Sequence, residues 1–246
     1  MPKTELIMGM PISIEVVGEI SEDIFADIFD YFRSVDKKYS TYKNNSEISY
    51  INKGLVKTSW SLEMKTVLKL CAQTKQQTDG YFDISHNGKL DPSGLVKGWA
   101  IQNAAQKIIG RGVDNFYIEA GGDIQTHGQN ADNEPWRVGI RNPFDINEVI
   151  KILAISGQGV ATSGTYVRGQ HIYNPHNLND NLNEVKSLTV IGPNIYEADR
   201  YATAAFAMGK KGIEFIESTK ELEGYMVDDK QVATYTSGFE RYVVDA

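Results

Sequence analysis

Apolar and polar positions change period several times along the 246-residue chain, and each change marks an element. Ile12, Ile14 and Val16 alternate with polar neighbours, the period-two pattern of a strand with one buried face. From Ile24 the spacing switches to three and four: Phe25, Ile28, Phe29, Phe32, Val35 and Tyr39 line one side of an amphipathic helix that Ser21 is placed to cap. The stretch 42–52 is polar and rich in turn formers, and helical spacing returns over 62–77. TDGYFD closes that helix and leads to a short DPSG segment. A third helix is predicted over 95–109 from Ala100, Ile101, Ala104, Ala105 and Ile108, with Gly110 or Gly112 as its stop.

Short strands dominate the second half. Phe116, Ile118 and Ala120 form one that runs directly into Gly121 and Gly122. Others are predicted over 136–140 and 149–155, divided by an Asn142-Pro143 turn, and over 185–192. Helical spacing covers 195–208, a shorter helix 210–217, and a hairpin near Asp228 and Asp229 precedes a final strand. Several of these strands are joined by turns too short for crossover helices, so the fold class is α+β with antiparallel or mixed sheets packed with helices. No linker-like run or internal repeat divides the chain, which predicts a single domain over 1–246.

Composition narrows the partners. An apolar fraction of 41% supports a sizeable core. The formal net charge of -7 gives no general attraction to nucleic acid or an anionic membrane, though a local basic pocket can still hold a phosphate. Cys71, the only cysteine, sits beside Val67, Leu68 and Ala72 and is expected to be a small buried thiol rather than a nucleophile. No window reaches membrane-spanning length, and the opening MPKTELIMGMPISIEV has neither a long apolar run nor a lipidation cysteine, so a cytoplasmic protein without a membrane anchor is expected.

Four polar, glycine-punctuated segments carry the candidate chemistry. LDPSGLVKGWA puts Asp91, Ser93, Gly94, Lys97 and Gly98 at a helix start, an arrangement for phosphate or for simple capping with Lys97 in solvent. It is not a P-loop. IEAGGDIQTHG ends a strand on Gly121, Gly122 and Asp123, which suits either close ligand approach or a tight turn. GVATSGTYVRGQHIYNP follows an apolar strand with Thr162, Ser163, Gly164, Thr165, Arg168 and His171, where a polar cofactor can be held. His171 is a candidate base or a structural hydrogen-bonding residue. EADRYATAAFAMG places Asp199 and Thr203 four apart on one helix face, either as oxygen ligands for a hard cation or as a helix-start carboxylate and a solvated threonine. His86, His127 and His176 complete no zinc spacing.

In this order, with MGM near the start, SEISYIN, DGYFDIS and WRVGIRNP, the segments resemble the ApbE family of FAD:protein FMN transferases over nearly the whole chain. The resemblance implies an ApbE-like, T-fold-related architecture. It also implies magnesium-dependent transfer of the FMN part of FAD to a threonine or serine hydroxyl of a target flavoprotein, with AMP leaving. The alternatives are magnesium-dependent hydrolysis of FAD to FMN and AMP, and FAD binding without catalysis. Carried over by position, Asp199, Thr203 and the carbonyl of Gly94 look like the Mg2+ ligands and His171 like the general base. Met8, Gly9, Lys97, Gly121, Gly122, Asp123, Ser163, Gly164 and His171 itself look like cofactor-binding positions. The chain departs from the family where HI, any residue, DPRTG is common. It reads HIYNPHNL, so Asn174, His176, Asn177 and Leu178 occupy the Asp, Arg, Thr and Gly positions. EAGGD stands for the commoner NAGGD, and DPSG for DLGG.

Overall fold

The structure is a computed structural model that describes residues 2–18, 21–164, 172–177 and 182–245. Two strands, β1 (Lys3–Ile7) and β2 (Met10–Val16), open the chain as a hairpin. Its two-residue turn places Met8 at φ 57° and Gly9 at φ 74°, the left-handed geometry that matches strand twist. β1 went unseen in the sequence because KTELI carries too little apolar alternation. Helix α1 (Asp23–Tyr39) buries the predicted stripe from Ile24 to Tyr39. Ser21 Oγ accepts from the Asp23 amide at 3.4 Å from one position ahead of the Ncap, which is Glu22 in helical conformation with no side-chain cap bond of its own.

The polar 42–52 stretch contains a helix, α2 (Glu47–Asn52), rather than only turns. Ser46 caps it by accepting from the Ser49 amide at 3.1 Å, and Ile48 and Ile51 are its buried anchors. Local polarity hid a segment that tertiary burial stabilises. Helix α3 (Leu62–Gln77) starts at a Ser61 cap and ends at Thr78, whose hydroxyl accepts from the Phe82 amide at 3.1 Å. A small ribbon, β3 (Ser85–His86) with β4 (Lys89–Leu90), leads to α4 (Ser93–Ile109). The helix begins two residues before the predicted start.

The remaining strands are β5 (Phe116–Ala120), β6 (Asp123–His127), β7 (Trp136–Arg141), β8 (Val149–Ile155), β9 (Gly159–Gly164), β10 (Val185–Gly192), β11 (Glu223–Asp228), β12 (Ala233–Tyr235) and β13 (Val243–Val244). Helices α5 (Ile195–Ala207) and α6 (Gly212–Ser218) separate β10 from β11. Eight strands form one sheet in the order β1-β2-β5-β6-β9-β10-β11-β12, and β13-β8-β7 form a second. The described pairings are antiparallel, as the short connections predict.

Alternation within the large sheet sets three layers. Ile12, Ile14, Phe116, Ile118, Ala161, Leu188, Val190 and Met226 face the helices, while Ile124, Val160, Ile191, Tyr225 and Val227 face the small sheet and pack with Val138, Ile140, Leu153, Ile155 and Phe239. Helix α5 lies at the centre of the helical layer and is buried nearly all round, including Ala198, Ala202, Ala204 and Ala205. β9 meets its first turn so closely that a Cβ on Gly159 would sit 2.1 Å from the Ile195 nitrogen. The buried Gln125 of β6 accepts from that same Ile195 amide at 2.8 Å and spends its own amide group on the Gly157 carbonyl at 3.0 Å.

Cys71 lies on the buried side of α3 with a relative exposure of 2%, and burial pushes its thiol up to about 12. The native protein should therefore react with a neutral-pH thiol reagent at least about a hundredfold more slowly than a free cysteine, and stoichiometrically once unfolded. Time-resolved titration with an aromatic disulfide, with and without denaturant, measures both.

Candidate functional site

The site grows from the crossing of α4 and α5. Gly94 and Gly98 are one turn apart on α4, and Ile195, Asp199 and Thr203 form the facing row on α5. A Cβ on Gly98 would lie 2.6 Å from Asp199 Cβ and 2.7 Å from the Ile195 carbonyl, so only glycine permits this approach. Because the backbones are so near, the Gly98 amide donates to Asp199 Oδ2 at 2.7 Å across a separation of 101 residues. One turn away the Thr203 hydroxyl reaches the Gly94 carbonyl at 3.3 Å.

Asp199 is 4% exposed, which places it inside the helix crossing and not at a solvated helix start. Desolvation raises its carboxyl to about 7, against the opposing pull of the nearby Lys97 ammonium, and the neighbouring Asp123 adds to the rise. Lys97 is not in solvent. Its Nζ pairs with Asp123 Oδ2 at 2.5 Å and stands 3.7 Å from Asp199 Oδ1. Asp123, 1% exposed, also accepts from the Thr162 amide of β9 at 3.2 Å through its other oxygen. Two buried carboxyl groups thus share one ammonium beside the Gly94 carbonyl and the Thr203 hydroxyl, and a cation there would favour the ionised form of Asp199.

That donor set fits a hard divalent cation: Asp199 and Thr203 lie one turn apart on α5, the Thr203 hydroxyl meets the Gly94 carbonyl, and all three residues line the same cavity. Asp199, Thr203 and Gly94 would hold it. Among the described residues no group of three or more His, Cys, Asp or Glu forms a metal cluster.

These groups line one end of a cavity of about 1310 Å3. Gly9, Lys97, Gly121, Gly122, Ser163, Gly164, Gly94, Asp199 and Thr203 all reach its wall, as the sequence placed them. Asp123 stands behind Lys97, and Met8 packs partly against the main core while its turn partner Gly9 faces the cavity. Gly121 and Gly122, at φ 58° and 93°, form the tight turn between β5 and β6, with the Gly122 amide donating to Glu119 Oε1 at 3.1 Å. The tight turn is thus present, and both glycines also line the cavity. Ser163 and Gly164 remain within β9 and do not form a turn. Asp91 Oδ1 accepts from the Ser93 amide at 3.0 Å from one position ahead of the Ncap, which is Pro92 and has no side-chain cap bond of its own. His171, with Thr165 and Arg168, lies outside the described residues.

Sequence reasoning missed the part of the cavity lining that the small sheet contributes. Arg137 and Arg141 project from the exposed side of β7, on either side of Gly139, while Trp136, Val138 and Ile140 face the core. The strict alternation in WRVGIR is the signal that marks them. Asp83, Glu119 and Tyr117 also line the cavity, and burial raises the Tyr117 hydroxyl well above its ordinary value.

Fold and site together define a layered, antiparallel α+β protein with an oxygen-rich cavity beside a close helix crossing. The model of the ApbE family matches residues 8–88 and 85–226, and the chain belongs to that family. A FAD:protein FMN transferase of Vibrio cholerae is 34% identical over 131 residues, covering 50% of this chain and 39% of that protein. One from Escherichia coli K12 is 29% identical over 147 residues, covering 56% and 42% respectively. The matches thus span about two fifths of these curated relatives' length. Among solved structures, the flavin transferase ApbE from Vibrio cholerae superposes with a TM-score of 0.86 at 23% identity over 98% of both chains. The ApbE protein of Thermotoga maritima gives 0.87 at 20% identity, covering 100% of this chain and 99% of that one. This agreement shows the expected ApbE-like fold.

Two substitutions test the crossing. Gly98→Ala inserts a methyl where no space exists and should cost about 1–3 kcal/mol of stability, read by urea denaturation. Lys97→Met strands two buried carboxylates and should cost about 3 kcal/mol, whereas the double change with Asp123→Asn should recover part of that loss.

Proposed function

We propose that the protein transfers the FMN moiety of FAD to a threonine or serine hydroxyl of a target flavoprotein and releases AMP. The observation that carries this reading is the convergence of the Gly94 carbonyl, Asp199 and Thr203 beside Lys97, at one end of a cavity with room for a dinucleotide, in a chain of the ApbE family. The relatives named FAD:protein FMN transferase support it.

Asp199, Thr203 and the Gly94 carbonyl hold Mg2+ in this reading, and bound Mg2+ supplies neutralisation of charge on the pyrophosphate oxygens. The fixed helix crossing keeps the three oxygens in place before substrate arrives, so little reorganisation is needed. Lys97, oriented by Asp123, keeps a positive charge at the cavity wall for a phosphate oxygen. The acceptor hydroxyl oxygen bonds to the FMN-side phosphorus, the bond from that phosphorus to the bridging oxygen breaks, and AMP leaves with that oxygen. His171 takes the hydroxyl proton. Gly121, Gly122, Ser163 and Gly164 leave the flavin side of the cavity free of bulky side chains, and Gly9 does so from the β1–β2 turn.

Incubation with FAD, Mg2+ and a flavoprotein domain carrying an acceptor threonine or serine, followed by intact-mass spectrometry, should show acceptor carrying FMN together with free AMP. Free FMN without modified acceptor would replace this reading with FAD hydrolysis, and intact bound FAD would replace it with a carrier. His171→Ala should retain FAD binding while transfer falls by about a hundredfold or more. Asp199→Asn should abolish the dependence of FAD use on Mg2+ concentration. Wild-type behaviour of either variant removes that residue from its role.

A further inference from the structure

The stretch in which this chain departs from its family is fastened to the cavity wall by contacts of its own. Tyr173 and His176 both reach the turn that follows α3. The Tyr173 hydroxyl donates to the Asp83 carbonyl at 3.1 Å and the Ser85 carbonyl at 3.0 Å, and its ring meets His86 at a 41° tilt with centroids 4.3 Å apart. His176 Nε2 lies 2.8 Å from the Asp79 carbonyl. A carbonyl only accepts, so Nε2 carries the proton. The imidazole also meets the Tyr81 ring edge-on at 4.5 Å.

The turn is built to receive it. Asp79 and Gly80 both have left-handed φ, 48° and 84°, and a Cβ on Gly80 would touch the His176 ring at 3.4 Å. Phe82 roots the turn in the core at 2% exposure, and Lys75 holds Asp83 at 2.6 Å. Between the two anchors Asn174 is buried, and its Oδ1 accepts from the His176 amide at 3.0 Å, which shapes the bend through Pro175. Ile172, Tyr173 and Pro175 line the cavity with Tyr81 and Asp83 from the turn. The clamp therefore fixes a wall of the site, one residue after His171 in sequence.

We propose that His176 is a positioning residue: its imidazole–carbonyl bond to Asp79, assisted by Tyr173, holds 172–177 in register with the cavity, and so sets the geometry of the transfer step. The inference rests on the proposed transferase reading. His176 is itself exposed, so its removal does not open the core.

The test compares the unsubstituted protein, His176→Ala and His176→Gln. Hydrogen exchange over 172–177 should quicken by about tenfold in His176→Ala. The rate of FMN transfer at saturating FAD should fall by about tenfold to a hundredfold while the FAD dissociation constant moves by less than about twofold. His176→Gln, whose side-chain amide can donate to the Asp79 carbonyl, should recover most of both effects. Unchanged exchange in His176→Ala overturns the clamp. Faster exchange with an unchanged transfer rate overturns the positioning role, and equal impairment of the Gln and Ala variants overturns the bond to Asp79 as its basis. Absence of transfer in the unsubstituted protein counts against the proposed reaction and the role in it, while the exchange arm still decides whether the clamp exists.

Discussion

The distance between α4 and α5 governs the chemistry of this protein. Gly98 has no side chain, so the Asp199 carboxylate can reach a backbone amide of the other helix and be buried there. Burial of a carboxylate is costly in a low-dielectric interior, and the Gly98 amide and the Lys97 ammonium are what offset it. Lys97 in turn needs Asp123, and Asp123 accepts from the Thr162 amide. One close crossing therefore orders a relay of charges that begins in the helical layer and ends in the large sheet. Thr203 and Gly94 fall into place one turn along the same two helices. Loosening the contact at Gly98 would disturb every member.

The balance of this relay is sensitive to added charge: a divalent ion beside Asp199 would hold its carboxyl ionised against the desolvation that raises its pKa. The small sheet adds the guanidinium groups of Arg137 and Arg141 on β7 to the lining of the same cavity. Arg137 also donates to the Asp245 carbonyl at 2.8 Å, which ties that strand to the C-terminal segment.

Much of the fold was legible because the buried faces are periodic. The stripe from Ile24 to Tyr39 specifies α1 without outside help, and the short connections of the second half specify antiparallel sheet. Helix α2 and strand β1 were not legible, since their stability comes from burial of a few residues against distant elements and their own patterns are weak. The site divides in the same way. Gly94, Lys97, Asp199 and Thr203 were placed at helix starts and on helix faces by spacing, and their joint identity came from the resemblance. What no local pattern contained was the Lys97–Asp123 pair or the Gly98 amide on Asp199, because these join residues remote in sequence. Likewise His176 could be marked as unusual, yet its partner, the Asp79 carbonyl, is 97 residues away.

The cavity opens where the helical layer, the tip of the β5–β6 hairpin and the small sheet meet, so its walls belong to layers that elsewhere touch only through their cores. An occupant in contact with all of them acts as a mechanical tie across the seam. By thermodynamic linkage its binding free energy adds to the cohesion between layers. The folded protein and its filled cavity then share one stability.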